Sequence, residues 1–535
     1  MDGPTIRKTP ISAIRQAFSL PHSELTIIQN QMNRILLLIS GLALSISANA
    51  QTCWNDGLQR STPEEQGVKS EAIANVFKAL DEGGYNVHSL MILRHGKVIA
   101  EHWWYPYAPE YQHAMYSATK TFTAVAVGMA VDEGLLQISD KVMDFFPDLL
   151  PEKLPEGLEE LTVEHLLTMS CGHASTSYPG SGESQVRSFL ATPFAHKPGT
   201  SFAYDITCSH MLSHIMFRVT GMDLLDYLQP RFFDKLGIKD VIWEMDLDGR
   251  NMGNGGSHMR TSDLAKLGLF LNAGGKWNGE QLISAEWVKA MTTPHIFQHP
   301  ERSEEENSKD DGGQGYGYQT WMGRHGSYRA IGGSNQLALV IPDSDIVIAS
   351  HGEIRDEAGF SSIMYTLIDA CSDKKLKKSK ADLSAQIEGY KLAKPLPSTT
   401  CIITSKTLRY KMFHNEYGIS DLALRFDAEG NCMLTIEEAA AIHNIPFGIF
   451  DWKMGMTDRR NPFQGMVYAN TMSTTPARTA GICSWTSTSE LKTFYLSMFN
   501  VGTVENFIFN FDGDSIAFTI KGRTKDIVLR GTRQK

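Results

Sequence analysis

From Thr121 to Leu136 the chain is apolar and almost free of charge. Such a segment has no polar stripe to offer water, so it predicts a helix buried on all sides. Other stretches change period. His88 to Glu101 reads as a β-hairpin turning at His95-Gly96. Asn335–Val340 and Ile346–Ala349 read as a second, with Pro342-Asp343-Ser344-Asp345 between them. Helical and strand patterns mix over residues 51–372. The lysine run Lys374 to Lys380 and Lys394-Pro395-Leu396-Pro397-Ser398 then mark a linker over 373–398. Beyond it, over 399–535, the pattern is strand-like: Asp421–Phe426, Cys432–Ile436, Leu491–Met498, Asn506–Phe511, Ser515–Ile520 and Asp526–Arg530. Asp/Gly turns at 427–430 and 512–514 join short strands, which predicts a small antiparallel barrel or sandwich.

The N-terminal pattern is of another kind. Arg34, the apolar run Ile35–Leu44 and an Ala-x-Ala end at Ala48-Asn49-Ala50 describe a secretory signal over 32–50, cleaved near Ala50. The apolar run is too short for a membrane span. The expectation is export, to a periplasm or to the medium. Residues 1–31 precede this signal and read as a leader or a misplaced start, with Met32 as the beginning.

The chain has 535 residues, 42% hydrophobic and 21% charged, which is the balance of a multidomain globular protein. Net charge is −10. Residues 1–50 carry a net +2, so the exported chain would stand near −12. No long basic run lies in the folded part, which argues against a nucleic-acid partner. All seven cysteines follow the signal. Export permits disulfides, and an odd number leaves at least one thiol over unless chains pair. No Cys/His spacing suggests zinc. His210-x-x-x-His214 falls in a predicted helix without an acidic base between the histidines, and reads as two core or surface histidines rather than a metal site. No metal and no cofactor is expected.

Candidate chemistry begins at Ser117-Ala118-Thr119-Lys120. A serine and a lysine three apart on a helix share one face. At the helix start, backbone N–H groups favour developing negative charge. One turn deeper, a desolvated lysine loses its proton more easily and becomes a usable base. This is the S-x-x-K arrangement of penicillin-recognising serine enzymes.

Five blocks then follow in order over about 220 residues. They are Met115-Tyr116-Ser117-Ala118-Thr119-Lys120, Thr162 to His173, Pro198-Gly199-Thr200-Ser201-Phe202-Ala203-Tyr204, Gly255 to Leu264, and Tyr328 to Gln336. Together they make residues 51–372 resemble the serine β-lactamase-like family: class C β-lactamases, D-aminopeptidases, esterases of that fold and 6-aminohexanoate-dimer hydrolases. The resemblance implies an α/β (α+β) fold, an antiparallel sheet flanked by helices with a helical subdomain, here with a C-terminal all-β domain appended. It implies an acyl-enzyme on Ser117, with Lys120 or Tyr204 as base, the two sharing one proton and the lysine ammonium favouring the phenolate. It also implies an oxyanion hole from the backbone N–H groups of Ser117 and Gly333. Gly332 would let the backbone approach the substrate.

Departures from the family pattern bear on substrate. After Tyr204 the family often has Ser-Asn; here Asp205-Ile206 stand, so an amide that holds substrate is missing. The third motif often supplies lysine or histidine; here it reads Ala330-Ile331-Gly332. Without that clamp for a carboxylate, a neutral ester or amide is the expected small-molecule substrate rather than a β-lactam, unless Arg329 or Arg260 replaces the cation. Asp205 either recruits a substrate amine or is a solvated loop carboxylate. Tyr116 is a further candidate for substrate contact. Trp321, Tyr316 and Tyr318 either line the cleft or fill the core. Two functions follow: an exported serine hydrolase, or a weak or inactive penicillin-binding-like protein with a binding or regulatory role in the cell envelope. The C-terminal domain could cap the cleft, bind envelope material or hold a dimer.

Overall fold

The computed structural model describes residues 54–174, 176, 184–379, 381–397, 402–439, 441–459, 476–497, 504–522 and 525–534. The expected leader and signal, Cys53 and Cys401 lie outside the described residues. From Asp56 on, the described residues form one compact unit.

The first sheet has seven strands: β1 (Gln59–Arg60), β2 (Val87–Arg94), β3 (Lys97–Trp103), β4 (Trp321–Met322), β5 (Tyr328–Gly332), β6 (Gln336–Ile341) and β7 (Ile346–Gly352), in the order β1-β3-β2-β7-β6-β5-β4. Every pairing is antiparallel except β1 with β3. The β2–β3 hairpin turns at His95 and Gly96, with φ of 50° and 71°. Two positive φ values in a two-residue turn match the twist of the flanking strands.

Both faces of this sheet are covered. Helix α1 (Ser70–Glu82) and helix α5 (Glu357–Tyr365) pack on one face through Phe77 and Phe360, meeting Leu90, Ile92, Leu339 and Ile348. Met91, Leu93, Val340 and Val347 point the other way, into the larger core. That core holds α2 (Thr119–Asp132), α3 (Ile206–Thr220) and α4 (Thr261–Asn272). Helix α2 is buried from Thr119 to Ala130, as its unbroken apolar pattern requires.

The second sheet has ten strands: β8 (Lys406–Met412), β9 (Ile419–Phe426), β10 (Cys432–Glu438), β11 (Ala441–Phe447), β12 (Lys453–Thr457), β13 (Ala477–Ser487), β14 (Glu490–Ser497), β15 (Val504–Asp512), β16 (Ser515–Ile520) and β17 (Ile527–Arg533). The order β11-β10-β9-β8-β17-β16-β15-β14-β13-β12 is antiparallel throughout. A parallel bridge, Gly448 to Ile482, brings its two ends together into a near-barrel. The sequence pattern reaches six of these strands and misses β8, β11, β12 and β13.

The stretch between the sheets packs rather than dangles. His102 Nε2 lies 2.9 Å from the Tyr390 carbonyl. Leu392 and Leu396 join a cluster in which Tyr107 meets Trp452, Ala480 and Ile482. A disulfide joins Cys171 and Cys208, while Cys371, Cys432 and Cys483 are thiols. Among the described residues no helix is long and apolar enough to cross a membrane.

Candidate active site

Ser117 lies in a short 3-10 turn, Tyr116–Ala118, that runs directly into α2. Tyr116 has φ of 45°, a left-handed backbone immediately before the serine. A non-glycine residue held there stores strain, which clusters at functional sites. The end of β5 presses against this turn. A Cβ on Gly332 would lie 2.0 Å from the Met115 carbonyl oxygen and 3.0 Å from Ser117 N, so only glycine fits. Gly333 faces the Tyr116 ring.

Lys120 stands one turn into α2, 1% exposed. Its Nζ lies 2.8 Å from Ser117 Oγ and 2.7 Å from the Asn254 carbonyl oxygen. Burial pushes its pKa down to about 7, against the opposing charge of Asp205. Tyr204 completes the group: its hydroxyl hydrogen-bonds Ser117, and its ring sits 5.1 Å from Lys120 Nζ. The shift of the Tyr204 phenol runs opposite to the expected one. Desolvation raises the Tyr204 pKa to about 12, more than the bond to Ser117 lowers it. The charge of Glu357 adds to the rise.

A cleft of about 420 Å³ opens over Ser117 and Tyr204. Trp321 lines it, with its ring 5.4 Å from that of Tyr204. Tyr316 and Tyr318 are core residues; the Tyr318 hydroxyl donates to Glu164 over 2.8 Å. Asp205 is neither a cleft residue nor solvated. It is buried, caps α3 by accepting from Thr207 N at 2.9 Å, and stands 3.6 Å from His173. Ala330 is buried, whereas Arg329 and Ile331 line the cleft. Arg260 is turned away, donating to the Glu110 and Lys239 carbonyls and paired with Asp240.

The sequence pattern did not single out Asn254, nor the charged wall of the cleft. Arg329 pairs with Asp311 at 3.4 Å, and Asp311 also pairs with Arg324 at 3.1 Å. Asp310 and Glu357 line the same wall. Desolvation raises the Glu357 pKa, with Arg329 opposing. Among the described residues, no part of the C-terminal sheet lines this cleft. These contacts join residues far apart in sequence, so no local motif announces them.

The family model for β-lactamase matches residues 73–352, more than half of the chain, and takes in Ser117, Lys120, Tyr204 and the third-motif strand. This chain belongs to the β-lactamase family. It is thus a member of a β-lactamase-like serine hydrolase family. Among its relatives is a 6-aminohexanoate-dimer hydrolase from Paenarthrobacter ureafaciens, 24% identical over 250 residues. That match takes in 43% of this chain and 64% of the relative, so the chain covers less than two thirds of that protein. An uncharacterised protein from Alkalihalophilus pseudofirmus is 22% identical over 317 residues, 51% of this chain and 86% of its own. A penicillin-binding protein homologue from Caulobacter crescentus superposes with a TM-score of 0.46 at 17% identity, covering 56% of this chain and 97% of its own.

One more cluster in this β-lactamase-family fold draws on the His-x-x-x-His pair. His210 Nε2 and His214 Nε2 on α3 each lie 2.9 Å from Asp246 Oδ2, all three buried. Their donor atoms fall within 4.8 Å of one another, close enough to hold a metal ion. The tautomer speaks against that use. Gly253 N, a donor only, points at His210 Nδ1 over 3.2 Å. Nδ1 must then accept, Nε2 carries the proton, and it has no lone pair for a metal. Burial lowers the His210 pKa and the two histidine bonds hold the Asp246 pKa down against its own burial, so a neutral imidazole donates to a carboxylate.

Proposed function

We propose that this protein is an exported serine hydrolase that cleaves an ester or amide bond through an acyl-enzyme on Ser117. The observation that carries the reading is Lys120: buried, 2.8 Å from Ser117 Oγ, with a pKa near 7. A base is most useful when its pKa lies near the working pH. In this reading neutral Lys120 takes the Ser117 proton as Oγ attacks the carbonyl carbon. The N–H groups of Ser117 and Gly333 receive the negative charge of the tetrahedral intermediate. Tyr204, protonated and bonded to Ser117, passes a proton to the leaving group and recovers one from Lys120. Water then enters, gives its proton by the same route, and releases the acid.

The substrate in this reading is a small molecule with an uncharged acyl group. Ala330 brings no cation, and Arg329 already faces Asp311. Glu357 and Asp310 add negative charge to the wall. Acidic lining repels a substrate carboxylate and disfavours β-lactams. Tyr116, Trp321 and Gly332 would frame the acyl group. Export rests on the signal pattern ending at Ala50.

The test is covalent labelling with a fluorophosphonate, followed by mass spectrometry of the adduct. One adduct on Ser117, absent in Ser117→Ala with an unchanged melting curve, is the expected result. An adduct on another serine ends the mechanism. No adduct at all favours a protein that kept the fold for binding or regulation.

A further inference from the structure

Lys120 does not reach its place by α2 alone. Its second contact, the Asn254 carbonyl oxygen at 2.7 Å, belongs to a loop that carries no side chain into the cleft. That loop is clamped from three sides. Ser213 Oγ donates to the Asn251 carbonyl, and Thr123 Oγ1 donates to the Gly253 carbonyl over 2.8 Å. Gly253 N donates to His210 Nδ1 over 3.2 Å. A Cβ on Gly253 would lie 2.3 Å from the Ser209 carbonyl oxygen, so the loop lies flat on α3.

We propose that His210, held by Asp246, is a positioning residue for Lys120: its Nδ1 anchors Gly253 and so aims the next carbonyl, that of Asn254, at Nζ. The proposal rests on the reading of Lys120 as the base of the reaction. The chemistry gives each link a reason. Asp246 accepts from His210 Nε2–H, which leaves Nδ1 as an acceptor. The Gly253 N–H is thereby satisfied in a buried place where it would otherwise be unpaired. Asn254 then takes one hydrogen of the Lys120 amine and holds Nζ 2.8 Å from Ser117 Oγ, where the neutral amine can turn its lone pair to the serine. A carbonyl that accepts from Nζ also favours the protonated form of an amine. The titratable groups near His210 are Asp246, His214 and Asp248; those near Lys120 are Asp205 and Tyr204.

Two variants separate the ends of His210. In His210→Asn the side-chain oxygen occupies the place of Nδ1 and can still accept from Gly253 N. In His210→Gln the amide reaches Asp246 but leaves Gly253 N without its acceptor. The readout is the rate of fluorophosphonate labelling of Ser117 against pH, with a thermal melt for each protein. His210→Gln should label about ten- to a hundredfold slower, the usual effect of a slightly misplaced catalytic group. Its acid limb should move to lower pH, because Nζ has lost a carbonyl. His210→Asn should restore most of the rate and the wild-type limb. Equal slowing in both variants with no movement of the limb overturns the proposal and leaves His210 a packing residue. Stoichiometric zinc in the purified protein, lost in both variants, overturns it as well, because a metal needs the Nε2 lone pair. If wild type itself is not labelled, the reading of Ser117 and Lys120 fails instead, and that outcome is distinct from both.

Discussion

The two sheets bury their residues in opposite ways. Strand β2 is buried at every position, because helices cover both faces of the first sheet. Strand β8 alternates, with Leu408, Tyr410 and Met412 inside and Thr407, Arg409 and Lys411 outside, because the second sheet wraps around a single core. The consequence for chemistry is direct. A two-sided layer can enclose polar groups far from water, and the first region does so with Lys120, Asp205, His210, Asp246 and Arg329. Among the described residues, the second region's core is largely apolar, with hydroxyls such as Thr479, Ser484 and Thr493 and one buried cation, Arg459, paired with Glu438 at 2.9 Å. A buried charge costs stability unless it is paired. The first region therefore gathers its shifted groups around one cleft, whereas in the second they are scattered, as at Cys432, where burial pushes the thiol pKa up.

The sharpest break in this contrast comes from the buried lysine. Lys120→Ala and Tyr204→Phe should each slow turnover or Ser117 labelling by about two to four orders of magnitude, the usual contribution of a positioned acid or base. Their effects should fall short of multiplying, since both handle one proton. A double variant whose loss equals the product of the single losses argues against a shared proton.

The matching experiment in the second sheet is Phe518→Ala. Phe518 is fully buried and stacks on Phe509 at 5.1 Å. Its truncation should cost about 3–5 kcal/mol in urea unfolding, with the pH profile of Ser117 labelling unmoved. A displaced profile would mean that the second sheet tunes the site.

The smallest effect concerns the cleft wall. A neutral ester should exceed its carboxylate-bearing counterpart in kcat/KM by about ten- to a hundredfold, the worth of a missing charge-assisted bond. Glu357→Gln should narrow that ratio by removing one repelling charge. Faster turnover of the anionic ester or of nitrocefin points to Arg329 acting as a clamp in spite of Asp311.

The parts legible in the sequence are those written locally. The buried helix α2 shows as an unbroken apolar run, the β2–β3 turn shows in His95-Gly96, and six strands of the second sheet show as alternation between Asp/Gly turns. Ser117, Lys120 and Tyr204 were named from short motifs, and the fold brings them together. What escaped was set by distance. Strand β11, Ala441–Phe447, has exposed Ile442 and an internal proline, so its period is blurred. Asp205 stands just before α3 and is a favoured capping residue type, a local sign that the readings as amine recruiter or solvated loop carboxylate pass over. The Asn254 carbonyl, the Arg329–Asp311 pair and the Asp246–His210–Gly253 chain join residues from 18 to 134 positions apart or unite separate loops. The direction of the Tyr204 shift is not legible from its lysine neighbour, because desolvation by the surrounding cleft dominates it.

The central claim is that neutral Lys120 is the base. It is tested most directly by the pH dependence of Ser117 labelling in the wild-type protein. Below its pKa the ammonium has no lone pair and cannot take the serine proton; above it the amine can. The rate should therefore rise with pH through a single limb near 7, the value at which burial sets Lys120. The limb should be missing in Lys120→Ala. A profile that stays flat through neutrality, or that climbs only toward the alkaline range where Tyr204 ionises, contradicts the account and moves the base to another group.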